Sequence, residues 1–502
     1  MKYLNKEVIE QLNYQQQSII DSTEELIMVE ACPGAGKTYT IVNKIQKEII
    51  NSDVGIIACS FTNEASDELR KRISKKVDIS NCFIGTIDSF ILSEIVGKFI
   101  NRYLKTLDKN YERVEINNVV FPSNPRLVNE LTRFFNRRDE ISSYFRAWMN
   151  NLFKGTYEIS FPSYLLATNI INSIYFSSLY TTKYSTIYID EAQDLNYFQH
   201  LFIKKLREKT GINVVMVGDS NQSIYQFRGA NPSLFKQLDQ MGYKKYSINV
   251  SVRCHPSISY YANKLVETET TLITPLENRV KYIYEINIDF LSSLADGFFI
   301  ICETNDLAKK LYENFKDNIE IYYVKALDIT DDEYNVHRDL IDKILKYFYN
   351  YNNINPKKIY SKEDYYNFLL NINPRIKESE INVDDANVKE YIIKIMSILG
   401  TTLNDSVLND IEEKLKDDVY KYYYLATERN NRVMTIHASK GLESNNVIVC
   451  LENRFNFDGE YKNKLFVAIT RAIDNVYLFP TNNFAHIEKL YSIIPMHGDK
   501  IE

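Results

Sequence analysis

In the stretch VEACPGAGKTYT (29–40), two glycines lead directly into a lysine and a hydroxyl residue. Gly34 and Gly36 let backbone N–H groups close around phosphate oxygens, Lys37 reaches the β and γ phosphates, and the Thr38 hydroxyl ligates Mg2+. This is the chemistry of a P-loop. It makes Ala31, Cys32, Pro33, Gly34, Ala35, Gly36, Lys37, Thr38 and Tyr39 the expected nucleotide-binding run. Ala31 stands where a first glycine is usual, a small departure because the later glycines make the closest approach to phosphate. Hydrolysis also needs carboxylates, and STIYIDEAQD (185–194) supplies them. Asp190 is expected to hold Mg2+ through its water shell, with Thr38 as the other metal residue, and Glu191 to orient and deprotonate the attacking water. The bland alternative, an acidic strand end that caps a helix, would not require the P-loop upstream.

These residues need rigid supports. LIMVE (26–30) reads as a buried strand, and TIVNKIQKEII from Thr40 reads as a helix with apolar residues three to four apart, so the P-loop joins strand to helix. The apolar run before Asp190 reads as a second strand. At 502 residues the chain exceeds one ordinary core, and a length prior of about 150 residues per domain gives roughly two to four domains. Hydrophobic residues make up 45% and charged residues 25%, which excludes global disorder. A net charge of −6 argues against a generic polyanion coat, so any nucleic-acid site is a local patch. The six cysteines form no C-x-x-C pair, which leaves neither a disulfide framework nor a zinc site. No apolar run reaches the ~18 residues of a membrane span, and the cytoplasm is the expected location.

Further motifs follow in a set order: LNYQQQSII (12–20), CSFTNEASDELRKRI (59–73), FIGTIDSF (83–90), VMVGDSNQSIYQFRGA (215–230), SINVSVRCHP (247–256), VMTIHASKGLE (433–443) and KLFVAITRA (464–472). Together with the P-loop and DEAQD they resemble the superfamily 1A DNA helicases of the UvrD/Rep type. The resemblance implies an α/β fold of two RecA-like P-loop NTPase domains with nucleotide in the cleft between them and mainly helical insertions. It places domain 1A at 1–92 plus 184–243, insertion 1B at 93–183, domain 2A at 244–330 plus 431–502, and a reduced 2B at 331–430. It further implies that Gln16 reads the base, Glu443 contacts the ribose and Gln222 senses the γ-phosphate. Arg253 and Arg471 become arginine fingers supplied by the second half, so Lys37, Glu191, Gln222, Arg253 and Arg471 form the catalytic set. Phe61, Thr62, Asn63, Thr86, Tyr225, Phe227 and His437 are then the DNA-binding positions, where rings stack on bases without reading sequence.

Several positions depart from that pattern. Tyr39 and Val252 stand where the family sandwiches adenine between arginine and tyrosine, so GTP and deoxynucleotides join ATP as expected substrates. Glu64 and Asp88 put acids on the expected DNA track, which weakens phosphate binding. Phe227 replaces the usual Trp. Too little chain follows Arg471 for a fused nuclease to be expected. Compact length, the FIGTIDSF form and the Arg-Cys pair at 253–254 resemble the helicase-like subunit of the Gabija anti-phage defence system. That resemblance implies a partner, a nuclease subunit with an OLD-family ATPase fused to a TOPRIM endonuclease, in a hetero-oligomer activated by DNA ends or single-stranded DNA. The alternatives are a stand-alone 3′–5′ repair helicase and a nucleotide-locked scaffold for a nuclease. The intact catalytic set argues against the scaffold.

Overall fold

A computed structural model describes residues 6–52, 54–61, 63–107, 163–172, 183–226, 229–267, 277–294, 296–323, 388–398, 402–416, 431–452, 459–481 and 486–495, with isolated positions between 329 and 348. The chain forms two compact units, Met1–Arg253 and Cys254–Glu502.

The described part of the first unit runs α1 (Lys6–Asp21), β1 (Leu26–Ala31), α2 (Lys37–Ile50), β2 (Gly55–Ser60), α3 (Asn63–Ser74), β3 (Phe83–Thr86), α4 (Ile87–Phe90), α5 (Gly97–Leu107), α6 (Ser163–Asn172), β4 (Tyr184–Ile189), α7 (Tyr197–Thr210), β5 (Asn213–Gly218), α8 (Pro232–Lys236) and β6 (Lys244–Ile248). The strands build one parallel sheet in the order β3-β2-β4-β5-β1-β6. A parallel sheet is covered on both faces, so its inner strands are apolar throughout rather than alternating. Successive side chains still point to opposite faces. Met28, Ile57, Ile187 and Met216 pack with Phe90, Phe202 and Leu206 on one side. Ile27, Val29, Ile56, Tyr188 and Val217 pack with Leu12, Ile41 and Leu69 on the other.

The described part of the second unit runs α9 (Pro256–Leu265), β7 (Val280–Tyr282), α10 (Ile288–Ser293), β8 (Phe298–Cys302), α11 (Asn305–Phe315), β9 (Tyr322–Tyr323), α12 (Val388–Ile398), α13 (Asp405–Lys414), β10 (Arg432–Thr435), α14 (Ile436–Ser439), β11 (Ser444–Leu451), α15 (Gly459–Ile469), β12 (Ala472–Pro480) and α16 (Ile487–Ile493). Its parallel sheet has the order β7-β12-β11-β8-β10-β9. Phe298, Ile300, Val433 and Ile448 meet Leu311 and Phe315 of α11 in its core. A separate cluster joins Tyr391 and Ile395 of α12 to Val407 and Ile411 of α13. α12 and α13 fall within the expected helical insertion at 331–430; most of the rest of that segment and most of 93–183 lie outside the described residues.

One expected boundary moves. The second domain does not start at 244, because Lys244–Ile248 pairs in parallel with Ile27–Ala31 at the edge of the first sheet. The first unit continues to Arg253. All six cysteines are free, with Cys59, Cys254, Cys302 and Cys450 buried and Cys32 and Cys82 half-buried. Burial pushes the Cys59 and Cys82 thiols up from their ordinary value. No helix among the described residues is long and apolar enough to cross a membrane.

Candidate nucleotide and nucleic-acid sites

In the strand order β4-β5-β1 the C-terminal ends of three neighbours lie side by side, and each carries a motif. The P-loop follows β1, Asp190 and Glu191 follow β4, and the turn from Asp219 to Gln222 follows β5. Ligands bind at this edge of open α/β sheets. Gly34 and Gly36 adopt φ of 70° and 78°, a left-handed conformation that favours glycine. Space demands it too: a Cβ on Gly34 would lie 2.4 Å from the Cβ of Arg253, and one on Gly36 would lie 2.7 Å from the Gln16 amide nitrogen. The loop is pinned from outside, with the Cys32 N–H donating to Ile248 O at 2.9 Å and the Val252 N–H to Gly34 O at 2.9 Å. Lys37 Nζ turns back over the loop toward Ala31 O at 3.4 Å.

Gln16, expected at the base, instead donates its amide to Ala35 O at 3.0 Å, so in this structure it braces the loop. Tyr39 is 56% exposed. Lys76 Nζ lies 5.8 Å from its ring centroid, and donates to Asn43 Oδ1 at 2.7 Å. A cation therefore stands beside the exposed Tyr39 ring, supplied from beyond α3 rather than from the residue after the P-loop. Val252 packs against the same apolar cluster as Cys32.

Asp190 is buried, and its Oδ1 accepts the Glu191 N–H at 3.0 Å. The Thr38 hydroxyl and one buried carboxylate are hard oxygen donors, too few for an all-protein cage, and this set fits Mg2+ that keeps its waters and binds phosphate. Glu191 sits at φ 55°, a strained conformation for a residue with a side chain. Its Oε2 accepts from the Gln193 amide at 2.6 Å. Gln193 Oε1 in turn accepts the Asp219 N–H at 3.0 Å, and Asp219 Oδ2 accepts the Gln222 amide at 2.7 Å. Burial pushes the Asp219 carboxyl above its ordinary value, opposed by the Lys37 charge and the bond from Gln222. Gln193 and Asp219 carry no assignment from sequence, since a buried amide or acid is recognisable only once its distant partner is in place.

Of the expected nucleic-acid residues of this unit, Phe61, Asn63 and Thr86 lie at the ends of β2 and β3, on the far side of β4 from the P-loop, whereas Tyr225 follows β5. Phe61 stacks on Tyr225 with ring centroids 5.1 Å apart and planes at 30°. Tyr225 is only 9% exposed, so Phe61 is the more open ring of the pair. Thr86 caps α4 by accepting the Ser89 N–H at 3.1 Å. Asn63 begins α3, while Thr62 and Phe227 lie outside the described residues, as do the side chains of Asn63 and Glu64. Asp88 does not stand as an open acid on this track. Its carboxylate accepts from the Tyr164 hydroxyl and from the Gln199 amide, tying α4 to α6 and α7.

The second unit holds the remaining candidates. Thr435 caps α14 by accepting the Ala438 N–H at 3.3 Å, and His437 lies half-buried in that turn beyond the C-terminal end of β10. Glu443 is exposed and Arg471 buried at the opposite edge, just before β11 and β12, where the Ser444 N–H donates to Arg471 O at 3.0 Å. The Arg471 guanidinium donates through Nε to Val467 O at 3.0 Å and through Nη1 to Leu442 O at 3.4 Å. Arg253 was expected from the second half. It is the last residue of the first unit, held against Gly34 of the P-loop.

A parallel sheet whose strand ends carry a P-loop and an Asp-Glu pair defines the class, a P-loop nucleoside triphosphatase. The profile for the UvrD/REP helicase N-terminal domain matches residues 12–174 and 161–241, and that for the UvrD-like helicase C-terminal domain matches 431–479, together more than half of the chain. The chain belongs to the UvrD/Rep helicase family, whose enzymes are ATP-dependent DNA helicases that use ATP and Mg2+. It is 24% identical over 493 residues to Gabija protein GajB of Bacillus cereus (strain VD045), covering 91% of this chain and 93% of that protein. It is 26% identical over 475 residues to ATP-dependent DNA helicase Rep of Buchnera aphidicola subsp. Schizaphis graminum (82% of this chain, 69% of Rep). With ATP-dependent DNA helicase PcrA of Bacillus subtilis (strain 168) it shares 23% identity over 407 residues, 72% of this chain but only 53% of PcrA.

Proposed function

We propose that this protein is a DNA-activated nucleoside triphosphatase, the motor subunit of a Gabija-like anti-phage defence complex. In this reading Lys37 and the P-loop hold the phosphates, Asp190 and Thr38 the Mg2+, and Glu191 activates water. Gln222 senses the γ-phosphate, Arg253 and Arg471 stabilise transition-state charge, and Glu443 meets the ribose. Single-stranded DNA or DNA ends engage Phe61, Thr62, Asn63, Thr86, Tyr225, Phe227 and His437. The partner is a nuclease subunit with an OLD-family ATPase and a TOPRIM endonuclease, and the complex works in the cytoplasm. The observation that carries the defence reading is the extent of the match to GajB, which spans nearly all of both chains, whereas the match to PcrA spans about half of PcrA. The exposed Tyr39 ring with Lys76 behind it supports relaxed base choice, since stacking and cation–π attraction do not distinguish purines.

The test is phosphate release from ATP, GTP, dATP and dGTP by the purified chain, with and without single-stranded or blunt-ended DNA, using Glu191→Gln as the blank. DNA-dependent turnover of several nucleotides, with little unwinding of a tailed duplex by the chain alone, is the expected result. Strict ATP use with vigorous solo unwinding would instead establish the second reading, a stand-alone repair helicase, which the similarity to Rep over 82% of this chain favours.

A further inference from the structure

Gln193 is fully buried, and both ends of its side-chain amide are engaged. The Asp219 backbone N–H is a donor only, so the end facing it must be the amide oxygen, and the other end must present N–H to Glu191. The orientation of the amide is thereby fixed by the backbone of a different strand end. A further contact, from the Ser223 hydroxyl to Gln193 O at 3.3 Å, ties the backbone of the same residue to the segment after β5. Gly218 makes room for this arrangement, because a Cβ there would lie 2.4 Å from Gln193 Oε1 and 3.2 Å from Gln193 N.

We propose that Gln193 is a positioning residue for hydrolysis: it holds one oxygen of Glu191 so that the other is aimed at water, and it links that carboxylate through Asp219 to Gln222. The inference rests on reading Glu191 as the base. The chain Glu191–Gln193–Asp219–Gln222 is continuous in hydrogen bonds of 2.6, 3.0 and 2.7 Å, and lies within one unit. A change at Gln222 therefore reaches the base through two buried groups with no water between them. Gln193 itself touches no phosphate in this scheme. Its loss is felt in the rate of the chemical step and not in nucleotide affinity.

The experiment uses the full chain with saturating single-stranded DNA and compares Gln193→Met, which removes both bonds, with Gln193→Glu, which keeps the acceptor for Asp219 and loses the donor to Glu191. The readouts are kcat for phosphate release, Kd for a fluorescent ATP analogue, and thermal midpoint. A catalytic carboxylate left loose by about an ångström loses roughly 100-fold in rate, so both variants should lose about 10- to 100-fold in kcat with Kd within about 2-fold of wild type. Added to Glu191→Gln, either substitution should cause no further loss, because residues that act as a unit are non-additive. If Gln193→Met does not fold, Gln193→Glu carries the comparison. Wild-type kcat in both variants, equal losses in kcat and affinity, or additive loss with Glu191→Gln overturns the inference while leaving the hydrolytic reading intact. An inactive wild-type chain, or an active Glu191→Gln protein, overturns both.

Discussion

At the scale of single residues, the two groups with the sharpest expected behaviour are Glu191 and Lys37. Positioned general bases contribute about 100- to 10,000-fold to rate, so Glu191→Gln should cut turnover by that order while an ATP analogue still binds. Lys37→Ala should weaken binding and turnover together, because the ammonium meets phosphate in ground and transition states alike. Phosphate release and equilibrium binding on the same preparations separate the two cases. Tyr39→Ala should raise KM for ATP and GTP to a similar degree, by up to about 10-fold, the size of one lost aromatic contact. A rise confined to one base would mean that Tyr39 reads rather than stacks. Lys37, Thr38, Asp190 and Glu191 were legible as candidates because each lies in a short contiguous motif just after an apolar strand. Gln193 was not: its acceptor toward Asp219 closes a bond across 26 residues. Gln16 was legible as a member of the site, but its bond to Ala35 O depends on how α1 lies along the loop, which no spacing reveals.

Elements were readable where burial leaves a pattern. β1, β2 and β5 each carry an unbroken apolar run because both faces are covered, and α2 shows its period beside them. β6 shows no such pattern. Its sequence KKYSI has one buried residue, as expected of an edge strand protected by lysines, so nothing in its pattern speaks against the boundary at 244 that the family resemblance implies. Helix α7 is fixed at its start by a capping box, in which Asn196 accepts the Gln199 N–H and Gln199 accepts the Asn196 N–H, both at 2.9 Å. The same Gln199 side chain donates to Tyr164 at 2.8 Å and to Asp88 at 3.3 Å, so one residue starts a helix and anchors two others. Asn196→Ala should cost about 1 kcal/mol by thermal or denaturant unfolding, and a loss within error of zero would show the cap to be dispensable.

For the whole molecule, two buried groups, one in each unit, couple stability to pH with opposite sign. His200 on α7 has a buried Nε2 with no hydrogen-bond partner among the described residues, and burial lowers its pKa to about 4. Unfolded histidine titrates near 6.5, so the first unit loses stability as pH falls from about 6.5 to 4, by on the order of 3 kcal/mol. In the second unit, burial and the neighbouring Glu452 charge raise Glu303 from 4.5 to about 7. There the folded state holds the extra proton, and stability is lost as pH rises from about 4.5 to 7. Calorimetry across pH 4.5–7.5 should show the acid-side loss flattened by His200→Gln and the neutral-side loss flattened by Glu303→Gln; unchanged pH profiles in both would refute the assignment. The uneven burial of the thiols has a practical consequence. An alkylating reagent added to the native protein should label Cys32 and Cys82 ahead of the four buried cysteines. Bound nucleotide should shield Cys32 in the P-loop and leave Cys82 reacting at its former rate, so the ratio of the two labels, read by mass spectrometry, gauges occupancy of the site with no engineered probe.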